Sequence, residues 1–199
     1  MTTLDAVDFN LYLVTFFDAS ACTEILADLA RSPDNRAPVY GASGEAGFVD
    51  ERVRKVARLL PSPETVERVR QRLLEVRDGV SAYFGTSLTS CEDPQFLRYR
   101  EGDFFVAHQD GNTGLLRSER EQSRKVSVVI FLNRQSTPPE EGSYGGGSLV
   151  FTEWRAGRRS GKYELAGEGG MLVAFPSDTT HEVTPVEWGE RYSIVSWYG

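Results

Sequence analysis

Histidine is almost missing from this chain: among 199 residues there are two, His108 and His181. Cysteine is equally scarce, with Cys22 and Cys91 alone. They form neither a CxxC pair nor a zinc-finger spacing, and two free thiols in a reducing compartment are the simplest reading. No run of about 18 apolar residues occurs, so no membrane-spanning helix is expected. The start, Met1-Thr2-Thr3-Leu4-Asp5, lacks a basic stretch followed by an apolar core, so no secretory leader is expected and the cytoplasm is the expected location. Positive charge is in deficit, with a net charge of -7 at pH 7. That balance argues against nucleic acid as a partner, because proteins that track phosphate backbones carry a basic surplus. The short basic clusters, Arg52 to Lys55 and Arg155 to Lys162, read as solvated faces. There is no internal repeat and no low-complexity tract.

Aromatic and aliphatic residues are plentiful. Apolar types make up 40% of the chain, with 11 Phe, 8 Tyr and 3 Trp, enough for one packed core. The expectation is one domain over 1–199, with a helical extension over 1–90 and a β core over 91–199. Phe9 to Phe16 reads as an opening strand. Ser20 can cap a first helix whose Ile25, Leu26 and Leu29 share a face. Ser32 to Gly47 reads as a loop. Ser62 caps a second helix, Pro63 suits its first turn, and Gly85 ends it. Val66, Val69, Leu73, Val76, Val80 and Tyr83 recur along it at helical spacing, a face that packs on a sheet.

From residue 95 the texture changes to short strands rich in Val, Ile, Phe and Tyr. They cover Gln95–Arg100, Phe104–His108, Val126–Leu132, Ser148–Glu153, Met171–Phe175, His181–Val186 and Arg191–Trp197, separated by Gly, Pro, Asn and Ser. Many short strands of this kind predict a sandwich or barrel. The long connections over 111–124 and 134–147, and the segment 34–48, are candidate lids.

Both histidines fall at or near the end of an expected strand. His108 opens the triplet His108-Gln109-Asp110, and on extended backbone residues two apart project to one face. A rolled barrel can bring His181 to the same point from a later strand. Two imidazoles and one carboxylate make the facial triad that holds non-haem iron(II) with coordination positions left open. Ten residues after His181 comes Arg191, flanked by apolar strand residues. A guanidinium there is costly unless it meets an anion, and its planar fork suits a carboxylate.

In this order, His108, Asp110, His181 and Arg191 resemble the 2-oxoglutarate/iron(II) oxygenases of the prolyl-hydroxylase type. The local stretches agree. Leu97-Arg98-Tyr99-Arg100-Glu101-Gly102-Asp103 precedes His108 at the family's spacing, and Val126 to Asn133 resembles the next barrel strand. Gly146-Gly147-Ser148-Leu149-Val150-Phe151 resembles the family's GG-x-L strand. Leu172 to Ser177, His181 to Pro185, Arg191-Tyr192 and Trp197-Tyr198 look like the hypoxia-type prolyl hydroxylases. The resemblance covers 95–199, with a weaker match over Val49 to Arg54. It implies a mainly β (α+β) double-stranded β-helix, or jelly-roll, barrel with N-terminal helices packed on the larger sheet.

It further implies iron(II) held by His108, Asp110 and His181, and 2-oxoglutarate paired with Arg191 and helped by Tyr99. Val183 and Trp197 match positions lining the co-substrate pocket, and Arg124 matches one that contacts substrate. Phe131 stands where hypoxia-type enzymes often carry a second co-substrate tyrosine. The implied reaction consumes dioxygen and 2-oxoglutarate, with ascorbate as a possible reductant. It releases succinate and carbon dioxide and leaves a hydroxyl on an unactivated carbon, with a prolyl residue of a protein or peptide the favoured substrate. The alternatives are the same chemistry on a small molecule or another amino acid, a cupin-like metal enzyme without 2-oxoglutarate, and a non-catalytic barrel. A nucleic-acid demethylase fits poorly, since Trp197 stands where those enzymes usually carry a second arginine. Oligomeric state is not readable from the sequence.

Overall fold

A computed structural model describes residues 9–32, 34–36, 52–111, 119–153 and 161–199. The strands are β1 Tyr12–Thr15, β2 Asp34–Arg36, β3 Arg54–Lys55, β4 Ala57–Leu59, β5 Gln95–Tyr99, β6 Phe104–His108 and β7 Val126–Phe131, followed by β8 Tyr144–Gly146, β9 Leu149–Glu153, β10 Gly161–Leu165, β11 Met171–Pro176, β12 Thr180–Val183, β13 Val186–Gly189 and β14 Arg191–Tyr198. The helices are α1 Ala19–Leu29, α2 Pro63–Phe84 and α3 Glu119–Gln122.

Two antiparallel sheets face each other. The larger runs β1-β11-β7-β14-β5-β4-β2, and the smaller runs β10-β9-β12-β6-β3. A third pair, β13-β8, stands apart from both. This is the expected jelly-roll barrel, and alternation along its strands explains the layering. On β7, Val128 and Ile130 face outward into a cluster with Ile25 and Leu29 of α1 and Val69, Leu73 and Val80 of α2. Val129 and Phe131 face inward and join Leu97, Tyr99, Leu149, Phe151, Val173 and Phe175 between the sheets. Each fully buried aliphatic of α2 contributes about 1.5–3 kcal/mol of transfer free energy to helix docking.

The second helix begins and ends where its sequence says: Ser62 caps it, Pro63 opens it, and Gly85 closes it in the left-handed region at φ 60°. Several expectations need correction. The first helix is capped by Asp18, whose carboxylate accepts from the Ala21 N–H at 2.8 Å, and not by Ser20. A carboxylate two residues earlier reaches the free N–H groups that a hydroxyl already inside the turn cannot. The opening strand is the shorter Tyr12–Thr15. The first ninety residues carry strands as well as helices: β1, β2 and β4 extend the larger sheet and β3 the smaller. Within 134–147, expected to be all loop, Tyr144–Gly146 pairs with β13. The expected strand over 181–186 is two strands, parted at Thr184 and Pro185. Pro185 lacks the N–H that a continuing ladder needs. The candidate lid over 34–48 and the basic run from 155 lie largely outside the described residues, and of the connection over 111–124 the described part, 111 and 119–124, carries the short helix α3.

Asp28, near the end of α1, ties the two long helices together. Its carboxylate accepts from the Ser62 backbone N–H at 2.9 Å and from the Ser62 hydroxyl at 2.8 Å. Hydrogen bonding from Thr65 first, then from Ser62, holds it at about 2, against the cost of burial. A carboxyl held below its unfolded value stabilises the fold above pH 4, and that contribution fades as pH falls from about 4 toward 2. Asp28→Ala is therefore expected to lower stability by about 1–2 kcal/mol at pH 7. Urea unfolding should show the difference from wild type shrinking toward zero at pH 2.

Candidate active site

The site is built by one strand pair. β12 runs antiparallel to β6, with His181 opposite His108, and the next matched pair is Val183 with Phe105. Between these pairs one residue on β12, Glu182, therefore opposes two on β6, Val106 and Ala107, a bulge. On regular backbone Phe105 and His108, three apart, would point to opposite faces. The bulge turns them to one face, where their rings stack at 3.6 Å and 20°. The Arg54 guanidinium lies over the Phe105 ring, 4.7 Å from its centroid. Beyond the strand end, the Asp110 and Gly111 N–H groups donate to the Ser177 carbonyl at 2.9 and 3.0 Å, and the Gln109 amide donates to Asp178. The triplet is thus pinned to the turn that leads into β12.

One potential metal-ligating atom each of His108, Asp110 and His181 lies within 4.8 Å of the others. Each imidazole has its Nδ1 on a backbone carbonyl, His108 on Val106 at 2.8 Å and His181 on Thr179 at 2.9 Å. A carbonyl only accepts, so each neutral ring carries its proton on Nδ1 and turns a bare Nε2 lone pair inward. Both Nε2 atoms face Asp110, at 3.5 Å from separate carboxylate oxygens. Lone pairs pointed at a carboxylate repel it unless a cation stands between them. The donor set fits a divalent metal, and the carbonyl partners are the outer support that metal-binding imidazoles use.

Electrostatics keep the ligands in binding form. Burial holds His181 at about 4, helped by neighbouring His108 and opposed by Asp110 and the Thr179 carbonyl. Burial works against an ionised Asp110, yet the positive charge that His181 and His108 carry when protonated, with a hydrogen bond from the Trp197 indole, holds its carboxyl far below the usual range.

The triad stands on the wall of a cavity of about 270 Å³, which Tyr99, Val183, Arg191 and Trp197 also line. Arg191 is only 1% exposed. Its Nη1 donates to the Ser193 hydroxyl at 2.9 Å, its plane lies 5.0 Å from Tyr99 and 5.1 Å from Phe131, and its Nε has no partner. No carboxylate among the described residues pairs with it, so a salt bridge within the fold does not account for its burial.

Sequence reasoning missed two residues here. Ser193 holds the Arg191 fork from two residues along β14, a same-face spacing that could have been read. Tyr144 could not, because it reaches the guanidinium from β8. Its hydroxyl is buried near Arg191 without a well-formed hydrogen bond, and burial pushes the phenol up, so it stays neutral. Arg124 lines the cavity, but Glu92 holds it through two bonds of 2.6 and 3.0 Å, and it stacks 3.8 Å from the Trp197 ring. Its charge is already engaged.

Barrel and ligand set together define a jelly-roll protein of the non-haem iron class. Comparison with known sequences narrows this: the model of the 2OG-Fe(II) oxygenase superfamily matches residues 94–199, and the chain belongs to that family. Membership implies iron(II), 2-oxoglutarate and dioxygen. A PKHD-type hydroxylase of Paracoccus denitrificans is 35% identical over 105 residues, 52% of this chain and 41% of that relative. The matched stretch thus spans about two fifths of such relatives. One from Acidovorax ebreus is 28% identical over 93% of this chain and 77% of its own length. In structure, a Pseudomonas putida prolyl-4-hydroxylase aligns with TM-score 0.68 and 24% identity, covering 98% of this chain and 95% of its own. A Trichoplax adhaerens prolyl hydroxylase, solved with a fragment of the hypoxia inducible factor oxygen degradation domain, aligns with TM-score 0.67 and 19% identity, covering 96% and 83%. At these identities the structural likeness carries the fold alone.

A histidine held below its unfolded value of roughly 6.5 binds its proton more readily in the unfolded chain. The metal-free protein should therefore lose stability as pH falls from 6.5 to 4. Chemical denaturation across this window should show a flatter profile in His181→Asn. An unchanged slope would mean that His181 is charged or exposed.

Proposed function

We propose that residues 1–199 form a single oxygenase domain that hydroxylates an unactivated C–H bond, with a prolyl residue of a protein or peptide as substrate. One observation carries the reading: the bare Nε2 lone pairs and the carboxylate converge in the same cavity that holds a buried, carboxylate-free Arg191. The first fits a metal and the second fits the far end of a dicarboxylate. Relatives named as PKHD-type hydroxylases and neighbours named as prolyl hydroxylases support the choice of substrate. A cupin-like enzyme without 2-oxoglutarate has no use for an unpaired Arg191 at that depth.

In this reading His108, Asp110 and His181 hold iron(II), which supplies dioxygen activation coupled to decarboxylation of 2-oxoglutarate. Arg191 binds the distal carboxylate through its fork, steadied by Ser193 and Tyr144, and Tyr99 adds its hydroxyl. Phe131 offers only a ring at this point, so the phenol comes from β8 instead. Val183 and Trp197 wall the co-substrate and exclude water, and Trp197 also donates to Asp110, fixing the carboxylate rotamer. Arg124, held by Glu92, borders the mouth where substrate passes and offers it a flat face. Ascorbate serves as reductant when turnover runs without substrate. Free Cys22 and Cys91 suit a reducing cytoplasm, and among the described residues no helix is long and apolar enough to cross a membrane.

Adding iron(II) and 2-oxoglutarate to metal-free protein without oxygen should produce a weak visible charge-transfer band. Arg191→Gln should need at least about tenfold more 2-oxoglutarate to reach it, consistent with loss of a buried charge-assisted pair. His181→Ala should show no band. Metal binding without a band in wild type would contradict the reading.

A further inference from the structure

Four arginines line the cavity in a chain of net charge -7: Arg54, Arg58, Arg124 and Arg191. Three have work visible in the structure. Arg124 is held by Glu92, whose carboxylate Arg120 shares, Arg54 covers the Phe105 ring, and Arg191 is buried against Tyr99, Phe131 and Ser193. Arg58 differs. It is half-buried, and its guanidinium has no ion pair, hydrogen bond or ring partner among the described residues.

Its direction follows from register. Arg58 lies opposite Leu97 on β5, Leu97 lies opposite Ser193 on β14, and Ser193 lies opposite Phe131 on β7. Residues in one cross-strand row point to one face, so Arg58 projects inward with Leu97, Ser193 and Phe131. Neighbouring strands are about 4.8 Å apart, which puts the Arg58 backbone about 10 Å to the side of Ser193. Tyr99, on the strand between, lies against the Arg191 guanidinium. Arg58 is therefore a separate positive point on the side wall and no second half of the Arg191 site.

Charge balance says what it is for. Among the described residues, the acids lining the cavity are Asp110, one of the candidate metal-binding groups, and Glu121, which has interactions of its own. Iron(II) and doubly anionic 2-oxoglutarate cancel one another and Asp110 offsets Arg191, so loading the site still leaves Arg58 without an acidic partner among the described residues. A cavity with low-dielectric walls focuses such a charge on whatever enters next. We propose that Arg58 is a specificity residue that receives a carboxylate of the substrate, an acidic side chain flanking the reacting residue of a peptide. The inference deepens the oxygenase reading of this cavity and rests on it.

The test is calorimetric titration of blocked peptides onto the anaerobic iron(II)–2-oxoglutarate protein. Three peptides share one frame, with Asp-Pro-Asp, Asn-Pro-Asn or Asp-Ala-Asp at the centre. The preceding 2-oxoglutarate titration checks the oxygenase reading, and the proline-to-alanine pair checks the prolyl one. The acid-to-amide pair checks Arg58. In wild type the acidic peptide should bind at least tenfold tighter than its amide twin. Arg58→Gln should bring the ratio within twofold, and Arg58→Lys should retain part of it. Equal binding of Asp-Ala-Asp and Asp-Pro-Asp, with the ratio still dependent on Arg58, would sustain the inference and overturn the prolyl reading. A wild-type ratio below twofold, absence of acidic-peptide binding included, would overturn the inference. So would a ratio that survives Arg58→Gln, or a tenfold loss of 2-oxoglutarate affinity in that variant, which would assign Arg58 to the co-substrate.

Discussion

The pairing of His181 with His108 across β12 and β6 is the contact on which the site depends. A one-residue slip of either strand would turn its side chains to the opposite face and separate the imidazoles. The bulge before His108 shows how that register is used. It inserts one residue so that Phe105 can back the imidazole while the strand still delivers Asp110 past its end. Backbone carbonyls of Val106 and Thr179 then choose the tautomer, so the ligand geometry is a consequence of main-chain positions that the barrel holds rigid.

The same sheets create the opposite problem in the same cavity. Arg191 is among the largest fully buried side chains, and no acid among the described residues compensates it. Leaving a buried charge unpaired costs about 3–5 kcal/mol where such pairs have been broken. The fold tolerates this by wrapping the guanidinium in Tyr99 and Phe131 and giving it the Ser193 hydroxyl. In the proposed reading, the distal carboxylate of 2-oxoglutarate supplies the missing partner. Gly147 makes the packing possible, since it adopts φ 59° and a side chain there would press on Arg191 and Tyr144.

Much of this was legible in the residues, and for identifiable reasons. The β6 strand, the second helix with its caps, and the strands over β7 and β14 follow from local patterning that tertiary packing reinforces. The triad was readable because histidine is so rare here that two strand-end imidazoles stand out. Signals that depend on distant contacts were not readable. Tyr144 reaches Arg191 through the β8–β13 pair, whose glycine-rich sequence looks like loop. The short strands β2, β3 and β4 exist because the edges of finished sheets accept them, and three-residue runs such as Ala57–Leu59 carry no periodicity. Arg124 was expected to contact substrate from the family resemblance alone, and its partner, Glu92, is 32 residues away in sequence, where no local pattern shows it.

The central claim is that metal triad and buried arginine form one oxygen-consuming, 2-oxoglutarate-consuming site. The most direct measurement is mass spectrometry of succinate released under oxygen-18 gas by protein loaded with iron(II) and 2-oxoglutarate. The account predicts succinate carrying one heavy oxygen atom, at a rate that falls to background in Asp110→Ala. Unlabelled succinate, or labelled succinate formed equally by that variant, would contradict it.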